Sequence, residues 1–351
     1  MVQRGKTVEV NPQQAAQRAG LRYIDPNEPG IRRVRTADGF EYRGRNQALI
    51  RNPKILQRIR SLAIPPAWEN VWICPDANGH LQATGFDAKG RKQYRYHPQW
   101  RQTRDSTKYE HMLKFAQALP EIRVKTQADL TKPGLPREKV LALLVQLLEQ
   151  TLIRVGNEEY ATANGSFGLT TLRNRHVDVL GSHLHFHFRG KSGRTHDLDV
   201  IDRKLAKLVQ KCRELPGQAL FQYVDAEGKR HVIGSGDVNA YLRGLTGDHF
   251  TAKDFRTWAG TRAALAELRR QGQARNHADA KAKMLAAIEK VAQRLGNTPA
   301  VCRKCYIHPA VLELYLRAWE IPRIEPPKNF GLEMQPEERE VMAILQKAAK
   351  M

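Results

Sequence analysis

Four stretches of this chain put polar side chains at the ends of elements, where a phosphate group can be approached. Arg154 closes an apolar helix in Ile153-Arg154-Val155-Gly156-Asn157-Glu158-Glu159-Tyr160. A cation there also serves as an ordinary helix C-terminal charge, worth a few tenths to about 1 kcal/mol. Lys191 stands in Gly190-Lys191-Ser192-Gly193, the tip of a hairpin, a setting shared by any solvated turn lysine. Arg256, in Lys253-Asp254-Phe255-Arg256-Thr257-Trp258, falls in the first turn of a helix. That end disfavours a cation unless an anion is bound, so its placement argues for function. Tyr306 ends a short helix begun by Pro299 and stopped near Pro309, after Gly296-Asn297-Thr298. A core or surface tyrosine would read the same way. Taken singly these residues are weak; their common chemistry is the binding of an anion with phosphate geometry.

Other chemistries lack their motifs. No Walker loop, G-x-G-x-x-G, H-E-x-x-H or G-x-S-x-G occurs, so ATP-driven and serine-hydrolase reactions have no support. Cys302-x-x-Cys305 with His308 offers at most three zinc ligands where a structural site needs four. His183, His185 and His187 alternate along one strand and share a face. They could chelate a metal, but a plain polar face is the stronger reading.

The elements that must position these residues follow from periodicity. Short strand-like runs, Ile31–Arg35, Phe40–Tyr42, Val71–Cys74 and His80–Thr84, are separated by Asp38-Gly39, Pro65-Pro66 and Asn78-Gly79. They describe a small, mostly β module. Beyond about Thr107 the pattern lengthens to helices, expected over about Glu110–Ala118 and Arg137–Arg154, the second with a wide apolar stripe. Leu184, Phe186 and Phe188 alternate with the three histidines before the Gly190–Gly193 turn and a return strand Thr195–Val200, a β-hairpin with a basic tip. Helices follow at Ile201–Cys212, Ala252–Gln271 and Ala278–Leu295. Pro322, Pro326 and Pro327 suggest a linker to a short helix near Pro336–Lys347. The fold class is thus α+β, with a β-rich domain at 1–105, a mainly α domain at 106–321 carrying the hairpin, and a C-terminal tail at 322–351.

Composition points to the partner. The 351 residues hold 58 Lys and Arg against 36 Asp and Glu, a net charge of +22, which favours a polyanion. Residues 1–107 carry 19 basic and 9 acidic side chains and the longer remainder 39 and 27, so positive charge is denser in the first block. No window approaches the roughly 18 apolar residues of a membrane span, and Met1–Gly20 lacks the apolar centre of a signal peptide. Four scattered cysteines do not make a disulfide scaffold. A cytosolic protein without membrane partners is expected.

In order and setting, Arg154, Lys191, Arg256, Asn297 and Tyr306 resemble the catalytic set of the type IB DNA topoisomerases, in the compact poxvirus-like form found in bacteria. The resemblance spans about residues 20–320. Its most specific stretches are Lys92–His97, Arg154–Tyr160 with Phe167–His176, Lys253–Trp258 and Gly296–Tyr306. It implies that Tyr306 attacks the scissile phosphorus to give a 3′-phosphotyrosyl enzyme. Arg154 and Arg256 would stabilise the charge on the nonbridging oxygens, and Lys191 would protonate the 5′-oxygen leaving group. It further implies a monomer acting on double-stranded DNA in the nucleoid, with no metal, nucleotide or other cofactor. The N-terminal module would close on the duplex through a linker near Gln102–Lys108. Gln93, Tyr94, Tyr96 and Tyr160 match positions through which the viral enzyme contacts its preferred pentanucleotide. Two departures stand out. Asn297 replaces a histidine of the poxvirus and nuclear members, and an amide donates a hydrogen bond but does not titrate. Asn157 replaces a DNA-contacting lysine of the viral enzyme.

Two alternatives compete. A tyrosine recombinase uses a similar Arg, Lys, Arg and Tyr set, but usually shows histidine where this chain has Asp254, and its N-terminal domain is typically helical. A non-catalytic architectural DNA-binding protein would explain the charge but not four motifs in order.

Overall fold

The computed structural model describes residues 12–323 and 334–348. Met1–Glu110 and His111–Met351 form two compact units.

The first unit holds α1 (Pro12–Arg18), β1 (Ile31–Thr36), β2 (Gly39–Arg43), α2 (Pro53–Ser61), β3 (Glu69–Ile73), β4 (Leu81–Phe86) and β5 (Lys92–Tyr96). The strands make one antiparallel sheet in the order β2-β1-β3-β4-β5. Ile31, Val71, Ile73 and Ala83 pack with Ile59 of α2 into one core. Trp72, alternating with Val71 and Ile73, joins Ile24, Cys74 and Leu81 in another. Helix α2 starts where Asn52 Oδ1 accepts from the backbone N–H groups of Lys54 and Ile55, with Pro53 at the first helical position.

The segment Gln102–Lys108, expected to connect the two domains, belongs to a single 32-residue helix, α3 (Pro98–Asp129), which runs on through Pro120 and contains the division between the two units after Glu110. Before Met112 its sequence is polar and shows no sustained apolar face, whereas Met112, Phe115, Ala116, Leu119 and Ile122 form the buried stripe that marks the helix from Glu110.

The second unit is built around α4 (Arg137–Thr151), buried from Lys139 to Leu148. A helix enclosed on all sides needs apolar residues all round, so its sequence shows more than one stripe. It is packed by α7 (Ser235–Thr246) and α8 (Ala252–Gln271). Between α4 and α7 in the chain come α5 (Glu158–Asn164), 3-10 turns at Leu169–Thr171 and Asn174–His176, a three-stranded sheet, α6 (Arg203–Arg213) and a small ribbon. The sheet has the order β6 (Val177–Leu180), β7 (His183–Arg189), β8 (Thr195–Ile201), all antiparallel, so the expected hairpin gains a third strand. The ribbon pairs β9 (Gln222–Val224) with β10 (Arg230–Val232). Helices α9 (His277–Arg294) and α11 (Pro309–Ala318) pack against α8, and α10 (Pro299–Cys305) packs on α9.

The C-terminal helix α12 (Pro336–Ala348) packs on α8 and α11 rather than standing apart as a tail. Glu338, with no exposed surface, receives hydrogen bonds from Arg123 and Arg262. Burial raises its pKa, but hydrogen bonding to Arg123 and the charges of Arg123 and Arg262 outweigh this and hold the carboxyl below its usual range. The proline-bearing stretch expected as a linker lies, from residue 324 to 333, outside the described residues.

Candidate active site

Four of the five expected site residues converge in the second unit. Helix α4 ends at Leu152 in a left-handed cap (φ 56°), turning the chain so that Arg154 leaves the helix axis. The segment after it is then fixed by the 3-10 turn at Leu169–Thr171. Leu169 N–H donates to Arg154 O at 2.8 Å, and Thr170 donates to Val155 O from N–H at 2.7 Å and from Oγ1 at 2.9 Å. A Cβ on Gly168 would lie 2.7 Å from Arg154 O, and one on Gly156 would lie 2.8 Å from Thr170 Oγ1, so both glycines are required by close approach. This explains why the Phe167–His176 motif accompanies Arg154: it holds the arginine's backbone.

Arg256 is 3 % exposed. Its Nη1 donates to Leu152 O and its Nη2 to Leu295 O at 2.5 Å. Those carbonyls are the caps of α4 and α9, unpaired ends of two helix dipoles, and so compensate a cation set near the wrong end of its own helix. Arg154 Nη2 donates to Asn297 Oδ1 at 2.5 Å and to Gly296 O at 3.2 Å. Of the buried donors without a partner among the described residues, two lie in this site: Arg154 Nη1 and Arg256 Nε. Burial lowers the pKa of both arginines, and Arg154 is lowered further by the charge of Arg256. Guanidiniums nevertheless remain charged, so the pocket holds two cations with donors unspent and is matched to an anion.

Tyr306 caps α10 and sits against Arg256, whose guanidinium carbon is 5.2 Å from the ring centroid. Its carbonyl accepts from Thr261 Oγ1 at 3.4 Å, and Gly260 of α8 presses on the same backbone. Asn297 follows Gly296 (φ 58°); its Nδ2 donates to Leu295 O at 3.3 Å, which leaves one amide proton unspent.

Lys191 is exposed at the hairpin tip and has no recorded contact with the other four. The hairpin does reach them through two residues that sequence reasoning missed. Arg194 Nη1 donates to Asn297 O at 2.9 Å. The ring of His196, stacked on Phe188 at 4.8 Å, occupies the space that a Cβ on Gly190 or on Gly296 would need, at 2.6 Å and 3.1 Å. Burial, then the charges of Arg154, Arg256 and Arg194, lower the His196 pKa and keep the ring neutral. The two glycines facing it were its only sequence signal.

The expected DNA contacts divide between the two units. Tyr160, on α5, is 51 % exposed. In the first unit, β5 is an edge strand, and Gln93 lies on the opposite face from Tyr94 and Tyr96, whose rings stack at 6.0 Å. Gln93 Nε2 is engaged by Asp87 at 2.9 Å. Cys302, Cys305 and His308 do not gather as metal ligands: Cys302 is buried, which pushes its thiol up to about 11, and His308 Nδ1 caps α11. Among the described residues the one gathered set is His185, His187 and Asp197.

The profile of the eukaryotic DNA topoisomerase I catalytic core matches residues 97–321, and that of the bacterial DNA topoisomerase IB N-terminal domain matches residues 39–87. The chain belongs to the type IB DNA topoisomerases. It is 33 % identical over 294 residues to DNA topoisomerase 1B of Acanthamoeba polyphaga mimivirus, covering 82 % of this chain and 87 % of the relative. It is 22 % identical over 253 residues to DNA topoisomerase 1B of vaccinia virus (strain Copenhagen), covering 70 % and 76 %. The N-terminal match separates this family from the recombinase and architectural readings. The α+β class, with a small antiparallel sheet preceding a helical catalytic core, agrees with this membership.

Proposed function

We propose that this enzyme relaxes supercoiled duplex DNA in the cytoplasm by breaking and rejoining one strand, without ATP or a catalytic metal. The Tyr306 phenol releases its proton to solvent as its oxygen attacks the scissile phosphorus, a P–O bond to tyrosine forms, and the bond to the 5′-oxygen breaks. Lys191 delivers a proton to that oxygen, and religation reverses both bonds. The energy of the broken linkage is retained in the phosphotyrosine, so no nucleotide is needed.

The observation that supports this reading most directly is the pair of unspent, buried guanidinium donors, Arg154 Nη1 and Arg256 Nε, beside the Tyr306 ring. Fixed donors in a water-poor site stabilise developing charge without reorganising, and each is worth about 10²–10³ in rate. Together they supply what a metal ion supplies elsewhere. Binding affinity comes chiefly from the net charge of +22 and falls steeply with salt.

Relaxation of plasmid in EDTA, followed by mapping of the DNA-linked peptide, tests the proposal. The linked peptide is expected to contain Tyr306, and Tyr306→Phe is expected to lose both relaxation and adduct while still binding DNA. An active phenylalanine variant refutes the assignment.

A further inference from the structure

The outward face of the β7–β8 hairpin carries an organised set of side chains that strand cleavage does not use. Residues His183, His185 and His187 stand on this face because Leu184, Phe186 and Phe188 between them are buried beneath. The register sets His187 opposite Asp197 and His185 opposite Asp199, while Asp178 of β6 stands opposite His185 on its other side. Three carboxylates thus surround two imidazoles on one patch of a chain whose net charge is +22.

We propose that this face is a binding site for one divalent transition-metal ion of the zinc class, held by His185, His187 and Asp197. One ligand atom from each lies within 4.8 Å of the others. Zinc bonds of about 2.0–2.2 Å put tetrahedral ligands about 3.4 Å apart. Half-exposed and exposed side chains can close that difference by rotation without disturbing the core. Asp197 already lies between the two rings, with Oδ1 3.6 Å from His185 Nε2 and Oδ2 3.3 Å from His187 Nδ1. The second observation is the support behind the ligands. His185 Nδ1 is 2.8 Å from Asp199 Oδ1, leaving Nε2 turned toward Asp197. This is the carboxylate–histidine–metal arrangement, in which the outer carboxylate fixes the ring's tautomer and orientation. His183 Nε2, 2.7 Å from the same oxygen, steadies Asp199 in turn.

Imidazole with carboxylate suits zinc, nickel or copper rather than magnesium or calcium, which prefer all-oxygen shells. Three protein ligands leave the fourth position to water. The ion ties β7 to β8 immediately below the Gly190–Gly193 tip and therefore stiffens the turn that carries Lys191. That consequence for catalysis rests on the function proposed above; the binding site does not.

Full-length protein stripped with EDTA and dialysed is titrated with zinc chloride by calorimetry and with cobalt(II) by absorbance, without DNA. One ion per chain is expected, with a cobalt spectrum lacking a thiolate charge-transfer band. His187→Ala and Asp197→Asn are expected to abolish binding, Asp199→Asn to weaken it roughly tenfold, and Cys305→Ser to leave it unchanged. Zinc is expected to slow hydrogen exchange at Gly190–Gly193 in the parent but not in His187→Ala. Absence of binding, binding that survives both ligand variants, or binding lost in Cys305→Ser overturns the site. Loss of relaxation in Tyr306→Phe bears only on the catalytic reading.

Discussion

Helix α8 touches the backbone of Tyr306, the proposed nucleophile, at Gly260, and a single methyl group there tests whether the position of this residue limits the reaction. A Cβ at residue 260 would stand 2.5 Å from Tyr306 O and 3.1 Å from Tyr306 Cβ. Ordinary contact begins near 3.4 Å, so Gly260→Ala must move the two segments apart by about 0.9 Å. Relief by rotating a flexible side chain is ruled out, because the obstacle is backbone. Two opposing terms set stability. Alanine gains about 1 kcal/mol of helix propensity over glycine, while overpacking costs about 1–3 kcal/mol, leaving a net loss of at most about 2 kcal/mol. The rate is far more sensitive, since a displacement near 1 Å at a reacting group costs about 10²-fold. The control is Gly244→Ala in α7, where a Cβ would meet nothing within 4 Å. It is expected to gain about 0.5–1 kcal/mol and cleave at the parent rate. Single-turnover cleavage of a suicide duplex, beside calorimetric melting of each variant, measures both. If Gly260→Ala stays folded and cleaves within threefold of the parent, the close approach of α8 does not position the tyrosine.

Lys191→Ala is expected to slow cleavage by about 10²–10⁴ and to recover when the bridging 5′-oxygen is replaced by sulfur, which leaves without a proton. Failure of sulfur to rescue assigns the acid elsewhere. Glu338→Gln removes a buried carboxylate from between Arg123 and Arg262 and is expected to cost about 3 kcal/mol at pH 7, the lower end for breaking a buried pair, because Arg123 keeps Glu149 at 2.5 Å. Glu338 has a depressed folded pKa, so its stabilisation is present above the unfolded value and is lost as pH falls through the folded one. Parent and variant melting temperatures should therefore converge below about pH 4, and a difference that persists undiminished at pH 3 contradicts the assignment.

The elements that position the site were legible where burial is one-sided or complete. Helix α8 was read over its full span, and β7 and β8 from the alternation of Leu184, Phe186 and Phe188 with histidines. Helix α4 was extended to Arg154, whereas it ends at Thr151, because a left-handed cap at Leu152 has no sequence mark when the residue is not glycine. Strands of three residues, as in β9 and β10, are too short for periodicity to register. Within the site, order and motif point to the arginines, Asn297 and Tyr306, which the structure brings together, but nothing in the sequence points to their partners. What completes Arg256 is a pair of backbone carbonyls, at Leu152 and Leu295, which any sequence would supply. Arg194 and His196 read as ordinary polar residues of a return strand. Only their packing against Gly296 and Asn297 distinguishes them.

That contrast bears on how the site tolerates its own charge. Two adjacent guanidiniums without a carboxylate would ordinarily repel and draw in water or a counterion. Here the charge of Arg256 is only partly offset by the partial charges of two helix C-termini, and that of Arg154 by the oxygens of Asn297 and Gly296. Full carboxylates at those positions would bind the arginines more tightly and compete with the DNA phosphate for the same donors. Dipoles hold the side chains in place yet leave net positive charge for the phosphate. The absence of titrating partners among these contacts also means that the arginines' geometry does not change with pH in the neutral range. Burial and the same field lower the His196 pKa and so favour the neutral ring. Protonating it would add a third cation between Gly190 and Gly296, the junction through which the Lys191 hairpin meets the Asn297 turn. A lowered His196 pKa thus works against placing a further positive charge where the hairpin meets the proposed phosphate site.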